Sequence, residues 1–534
     1  MNDPAAPGSA PPRRSWGALA LAIALFALGF AVANRFQLTH GVLHRAAAND
    51  WASAVGTFGL LSLQALALLA AIALLGRWLF AVAMALAAFS IMVNLGYGQT
   101  VNDVLGTGTV AWMAAETRQV GNAAGEFGAP LLAAAAQTLA AIGSFVCARA
   151  AALRGGWRIE GATAGTAGLA LLLAPTAIGT LVGVPASAAE RNLYSLGLEV
   201  ALAEPPPPRP PVTLEPDIDG SPQAIVWLVD ESVAYRQFRE ILAPRLAAIP
   251  HEDLGLAAAL GHCSAPANLA LRSGVAVREA GPGLDLRRTP SIWGYARKAG
   301  YRTVLVDGQT SGAPQNLLLP PERALIDEVV AAAGDMDTDL RIAADINRRL
   351  RSGERVFVYA VLRGVHFQYR DHFPAGRVPA DSPAARQYEA ALEYSKSRFF
   401  DRLLDGVDRG AVAVVYTSDH GQNLAEGAVP HCSPSPVPAE LHVPLVLFLP
   451  ERLAEHYADA PHAGHSASQI FPATLTWMGY DRGEVQRRYD NDLDRLPAAY
   501  VRFDRDVIPL RKGDAAGVIV EAGFPGAGRA VKGD

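Results

Sequence analysis

Cysteine is scarce in this chain. Its 534 residues include only three, so a fold stapled by a dense disulfide framework is excluded. A large excess of one charge is also missing. The 46 Lys and Arg against 51 Asp and Glu leave a net charge of -5, too small to suggest a nucleic-acid partner. No internal repeat is visible. Charged residues make up 18% of the chain but are unevenly spread, and the long apolar runs poor in charge all lie before about residue 186. The length leaves room for about two to four domains.

Five of those runs, at about 17–34, 54–76, 79–97, 129–149 and 164–185, are near or above the roughly 20 residues that span a bilayer. Trp16, Trp51, Trp78 and Trp112 stand at or near their ends, where a membrane interface favours aromatic rings. A buried helical bundle is the bland alternative. The first run follows Arg13 and Arg14 as a signal peptide would, but four more runs and no clear cleavage site favour a retained anchor. Arg13, Arg14, Arg77, Arg149, Arg154 and Arg158 fall on one side, and only Arg35, Arg45 and Arg118 fall in the opposite short loops. The positive-inside rule then predicts a cytoplasmic N-terminus and everything after the fifth run outside; for a bacterial inner membrane that is the periplasm or cell surface.

A short helical segment around Glu190 to Leu202 and the run AEPPPPRPP from Ala203 mark a semi-rigid spacer. The expected organisation is a membrane domain over about 1–186, a bridging helix and Pro-rich linker over about 187–221, and a soluble domain over about 222–534. In that last part, apolar strands starting at Ala224, Thr303, Val356, Val412 and Val443 alternate with helices starting near Ser291, Asp337, Ala385 and Ser466. The alternation predicts an α/β fold with a mostly parallel sheet covered by helices on both faces. The polar loop from about 98 to 128, with Asn102, Asp103, Glu116, Thr117 and Glu126, is expected on the same side of the membrane as this domain.

Three strands lead into possible metal ligands. The first runs into Asp230, Glu231 and Ser232, the strand VAVVYT delivers Asp419 and His420, and His366 closely follows VFVYAVL. Acidic residues at strand ends often only cap helices. Two acidic strand ends and several histidines in one domain suit Zn²⁺ or Mn²⁺, since Ca²⁺ or Mg²⁺ would want more oxygens and no imidazole. A nucleophile candidate lies in GHCSAPANLALRSG, where Ser264 is expected at the N-cap of a helix with Pro266 just inside. A plain serine cap is the simpler explanation, and Cys263 is the rival nucleophile. Cys263 and Cys432 could also form one disulfide, though two cysteines do not establish a pair.

These residues resemble the alkaline phosphatase and sulfatase superfamily, and within it the membrane-embedded phosphoethanolamine transferases that modify bacterial outer-membrane lipid. IVWLVDES looks like the family's first strand, SAPANLALRSG its nucleophile element, GVHFQYRDHFP the segment with His366, and YTSDHGQNLAEG the Asp-His-Gly element. His431 falls where the transferases carry a substrate-side histidine, and GHSASQIFPATLTWMGY, with His465, resembles the closing helix.

The resemblance implies that Glu231, Asp419, His420 and the Ser264 oxygen bind one Zn²⁺, with Asp230 a possible additional ligand. Ser264 would attack phosphorus and give a phospho-enzyme resolved by double displacement. His366, His431 and His465 would bind phosphate oxygens, donate protons or hold a second metal, while His262, His372, His442 and His462 are weaker candidates. The donor implied is a membrane phospholipid and the acceptor an envelope lipid or glycan. The alternatives are a membrane-bound phosphate or sulfate ester hydrolase, a phosphoglycerol transferase, or a non-catalytic sensor or scaffold. Sulfatases need Arg four residues after the nucleophile to make formylglycine; here that residue is Asn268, which disfavours that chemistry.

Overall fold

The computed structural model describes residues 14–47, 49–107, 109–110, 128–157, 162–182, 187–310, 316–366, 368–433, 435–490, 492–504, 507–508 and 516–526. Arg13, Trp112, Glu116, Thr117, Arg118, Glu126 and Arg158 lie outside them. The chain divides into two compact units, Met1–Ala203 and Glu204–Asp534.

In the first unit, helices Trp16–Ala33, Trp51–Leu74, Arg77–Val101 and Gly128–Arg154 are long and apolar enough to cross a membrane. A fifth helix, Ala162–Val182, includes a shorter apolar stretch, Thr163–Ile178, and holds Pro175. Leu63, Leu66, Leu132 and Leu139 stand exposed along these helices, as side chains facing lipid would. The unit's interior also holds buried amides. Helix Ala189–Leu202 has no side-chain cap of its own at its start. Instead the Ala188 N–H donates to Gln64 Oε1 (2.6 Å) and the Ala189 N–H to Asn34 Oδ1 (2.7 Å), so two free donors of a helix start are satisfied from neighbouring helices. Asn192 Nδ2 donates to Asn94 Oδ1 (2.7 Å), and Ser90 Oγ to the Ala189 carbonyl (2.6 Å).

The second unit is built on an eight-stranded sheet. Its strands are β1 (Ala224–Asp230), β2 (Glu252–Ala258), β3 (Arg302–Asp307), β4 (Glu328–Ala331), β5 (Val356–Val361), β6 (Val412–Ser418), β7 (His442–Phe448) and β8 (Ala463–Ser466), in the order β4-β3-β5-β1-β6-β7-β2-β8. Only β7 runs against the rest, pairing antiparallel with both β6 and β2. A small ribbon, β9 (Tyr500–Phe503) with β10 (Val518–Glu521), lies apart. All residues of β1, β5 and β6 are buried, because helices cover both faces of the sheet. Side chains alternate between two cores: Ile225, Trp227 and Val229 enter one, Ala224, Val226 and Leu228 the other.

The sheet fixes the site through register. β5 and β6 flank β1 in parallel, and Asp230 pairs with Ser418. The residues that follow, Glu231 and Asp419, therefore leave adjacent strands side by side at their carboxyl ends, where open α/β sheets bind ligands.

Candidate active site

Glu231, Asp419 and His420 converge there. Their ligand atoms all lie within 4.8 Å of one another, and all three residues are buried. The Ser418 hydroxyl donates to the Asp230 carbonyl (2.9 Å), and the Asp419 N–H reaches the same carbonyl at 3.0 Å, so the two strand ends are stitched together. Gly364, just past β5, sits at φ 59°, and a Cβ there would lie 2.5 Å from the Glu231 carbonyl oxygen; only glycine permits this approach.

Helix Ser264–Ser273 brings the hydroxyl. Its N-cap is Cys263, not Ser264 as the sequence suggested, and Ser264 is the first helical residue. The Ser264 hydroxyl is thus free of capping duty. It donates to Glu231 Oε1 at 3.1 Å and stands 3.1 Å from His420 Nε2. Asn268, one turn on, donates to Asp419 Oδ2 at 3.4 Å and is oriented by the Tyr359 hydroxyl, 2.8 Å from its Oδ1. Gln309 Nε2 donates to Glu231 Oε2.

The electrostatics call for a cation. Burial, with the Glu231 charge next, pushes the Asp419 carboxyl up to about 8. Burial also favours neutral Glu231, but the hydrogen bond and charge of His420 hold it well below the ordinary carboxyl value. Against burial, Asp419 and Glu231 raise the His420 imidazole to about 9. Two carboxylates are buried against each other, so the pocket stabilises any positive charge placed among them. His420 Nδ1 lies 2.8 Å from the Gly421 carbonyl, which leaves Nε2 as the atom facing the group. Two carboxylates, one imidazole and a nearby hydroxyl fit a divalent metal.

Residues 272–480 match the sulfatase family model. Over that stretch the chain carries a sulfatase domain. The matched segment holds Asp419 and His420 and begins after Glu231 and Ser264. Among solved structures, the integral membrane protein lipooligosaccharide phosphoethanolamine transferase A from Neisseria meningitidis aligns over 91% of this chain and 100% of its own. The TM-score is 0.55 at 14% identity, a likeness of fold. The C-terminal periplasmic domain of EcEptC from Escherichia coli aligns over 58% of this chain and 96% of its own, with 17% identity and a TM-score of 0.43. No curated protein matches the chain.

Two of the three further histidines expected in the sulfatase domain join the site. The His431 ring stacks on His420 with centroids 4.4 Å apart, and His366 meets His431 edge-on at 5.7 Å. Burial, followed by the charges of His420 and His366, keeps His431 well below its usual value, so its ring is neutral. Gln422 Oε1 lies 3.2 Å from His431 Nδ1, and Tyr369 lies behind Gln422. His465 does not join this group. Its Nε2 lies 2.6 Å from the Pro461 carbonyl and its Nδ1 3.3 Å from Gln469 Oε1, so both nitrogens serve the β8 corner.

Asp230 is a second correction. Its carboxylate is not among the three that converge but pairs with Lys396 Nζ (3.0 Å) and accepts from the Tyr416 hydroxyl (2.7 Å). Lys396 also holds Asp339, whose carboxylate accepts the Arg363 N–H (2.8 Å) and the Gly364 N–H (3.2 Å). This closed triad fixes the Gly364 turn against Glu231.

The two soluble-unit cysteines are joined. Cys263 and Cys432 form a disulfide with Cα atoms 4.7 Å apart, so Cys263 offers no free thiol. Their sequence neighbours are Ser264 and His431, and the Cys432 N–H donates to the His262 carbonyl at 2.7 Å. The bridge ties the hydroxyl-bearing turn directly to the histidine-bearing loop.

Proposed function

We propose that the protein is a membrane-anchored, metal-dependent phosphotransferase working through a covalent intermediate on Ser264. It moves a phospho-alcohol head group, of the phosphoethanolamine type, from a membrane phospholipid to an envelope lipid or glycan. The observation that carries this reading is the Ser264 hydroxyl, 3.1 Å from both Glu231 Oε1 and His420 Nε2 at the start of a helix. A hydroxyl so placed is a nucleophile with a proton acceptor beside it.

Glu231, Asp419 and His420 would hold a divalent cation, Zn²⁺ or Mn²⁺, whose chemistry when bound is Lewis acidity toward a phosphoryl oxygen and the attacking hydroxyl. Ser264 Oγ gives its proton to Glu231 and bonds to phosphorus, and the bond from phosphorus to the lipid alcohol breaks. The leaving oxygen takes a proton from His366, with the neutral His431 ring between it and His420. In the second half-reaction an acceptor hydroxyl loses its proton to His366 and attacks phosphorus, the bond from phosphorus to Ser264 Oγ breaks, and Oγ takes its proton back from Glu231. Asn268 orients Asp419, and Gln309 orients Glu231.

The four apolar helices suit a donor that stays in the bilayer. The test is to incubate full-length protein in vesicles with a head-group-labelled phospholipid, then analyse the peptide containing Ser264 by mass spectrometry. An increment of one phosphoethanolamine on Ser264, absent from Ser264→Ala, is expected. Full head-group turnover by Ser264→Ala would sink the proposal, and release of the head group to water despite an acceptor would make the protein a hydrolase.

A further inference from the structure

The helix that begins with Ser264 carries a buried cation at its other end. Arg272 lies in its last turn and is 2% exposed. The reaction proposed above leaves it unused. An arginine enclosed this fully needs partners for its donors. Its Nε donates to Glu322 Oε1 at 3.2 Å and its Nη2 to the Asn316 carbonyl at 2.9 Å.

Two relays lead from Arg272 to the carboxylates of the site. Asn316 turns the chain at φ 57° and Leu317 follows at φ 54°, left-handed conformations that such residues keep only when the surroundings hold them. The bond from Arg272 to the Asn316 carbonyl is one such restraint. From that turn Asn316 Nδ2 donates to Gln309 Oε1 at 3.2 Å, and Gln309 Nε2 donates to Glu231 Oε2. On its other side the Arg272 guanidinium lies 5.8 Å from the centre of the Tyr359 ring. The Tyr359 hydroxyl donates to Asn268, which donates to Asp419.

Arg272 is itself held from behind. Glu322 is fully enclosed, and its Oε2 takes a second guanidinium, Arg209 Nη2, at 2.7 Å. Arg209 comes from the Pro-rich spacer, and its Nη1 also reaches the Thr289 carbonyl at 3.2 Å. For stability alone, apolar side chains often serve as well as a carboxylate buried among arginines. Glu322 does what an apolar filler could not: it fixes the plane of the Arg272 fork and so aims Nη2 at Asn316.

We propose that Arg272, set in place by Glu322 and Arg209, is a positioning residue that keeps both Glu231 and Asp419 aimed at a divalent cation. The inference rests on the metal-dependent reading given above but not on the chemistry of Ser264.

The test uses full-length protein in detergent, stripped of metal and titrated with Zn²⁺ against a competing chelator dye. Melting temperature and head-group transfer are followed separately. Arg272→Gln is expected to weaken Zn²⁺ binding about 10–100-fold, as loss of a residue that orients metal-holding groups does. Gln309→Ala should weaken it too, and Arg272→Gln should then cost less than it does alone, because one relay is already cut. Arg272→Lys keeps the charge without the fork, so it should recover melting temperature more fully than Zn²⁺ affinity. Tyr359→Phe removes one hydroxyl, should weaken binding several-fold, and decides the matter if the Arg272 variants do not fold. Wild-type affinity in Tyr359→Phe and in every folded Arg272 variant would overturn the proposal, whatever their melting temperatures. Fully additive effects of Arg272→Gln and Gln309→Ala would overturn it as well. A wild type that binds no Zn²⁺ would overturn this inference and the metal-dependent reading together. Tight Zn²⁺ binding without head-group transfer would sink the transfer reading alone.

Discussion

In the first unit the side chains of Asn34, Gln64, Asn94 and Asn192 pair with one another and with the backbone, whereas in the second Glu231 and Asp419 are buried against each other. The amides are neutral and find partners, so they hold helix Ala189–Leu202 in place without outside help. The carboxylates share a sign, and the surrounding sheet forces them together. The same contrast recurs between strand-end carboxylates: Asp230 is matched by Lys396 and Tyr416, while Asp419 is crowded by Glu231. A matched buried group fixes structure. A mismatched one is poised for a ligand.

That contrast can be broken experimentally. The largest effect is expected from Ser264→Ala and Glu231→Gln, each lowering head-group transfer by on the order of 10³-fold or more. Ser264→Ala should melt, by circular dichroism, at about the wild-type temperature because its hydroxyl balances no charge, whereas Glu231→Gln removes a carboxylate that His420 holds charged and should melt lower. A variant that loses activity by unfolding would erase the distinction.

Lys396→Met should do the opposite. It strands Asp230 and Asp339 without their counter-charge and is expected to cost about 3–5 kcal/mol of stability. Thermal unfolding would measure the loss, and adding Asp230→Asn should return part of it. If Lys396→Met were as stable as wild type, the triad would not be the matched centre described here.

Cys263→Ser removes a bridge between residues 169 apart in sequence and should cost about 2–4 kcal/mol. Its effect on transfer should be far smaller than that of Ser264→Ala, since Ser264 keeps its place on the helix. A Cys263→Ser variant as inactive as Ser264→Ala would make the bridge, not the hydroxyl, the decisive feature. The smallest effect is expected from Asn34→Ala in the membrane unit, about 1–2 kcal/mol in unfolding with no change in transfer.

Much of this was legible in the sequence. β-branched runs ending in Asp-Glu and Asp-His marked β1 and β6, and parallel pairing then obliges those ends to meet. β2, β4 and β8 were missed because their sequences, EDLGLAA, EVVA and AGHS, are short or glycine-bearing, with weak alternation. Only the family resemblance places Asp230 at the metal, and the strand's own geometry turns it away. On a pleated strand, consecutive side chains face opposite ways, so Asp230 shares the face of Val226 and Leu228, which helix Ala384–Lys396 helps to cover. Lys396 itself was recoverable, since it falls four and eight residues after the buried Leu392 and Tyr388, on the helix's apolar stripe. The two nitrogens of His465 could not be assigned without the carbonyl of Pro461 and the amide of Gln469.

The Cys263–Cys432 bridge makes the stability of the second unit depend on the redox state of its surroundings. Ribosomes deliver its two halves 169 residues apart, and in a thiol-rich interior the sulfurs stay reduced. In oxidising surroundings the turn carrying Ser264 is covalently secured to the loop carrying His431. The fold thus carries its own redox gauge: a reducing agent should lower the melting temperature of the second unit while Ser264 stays on its helix.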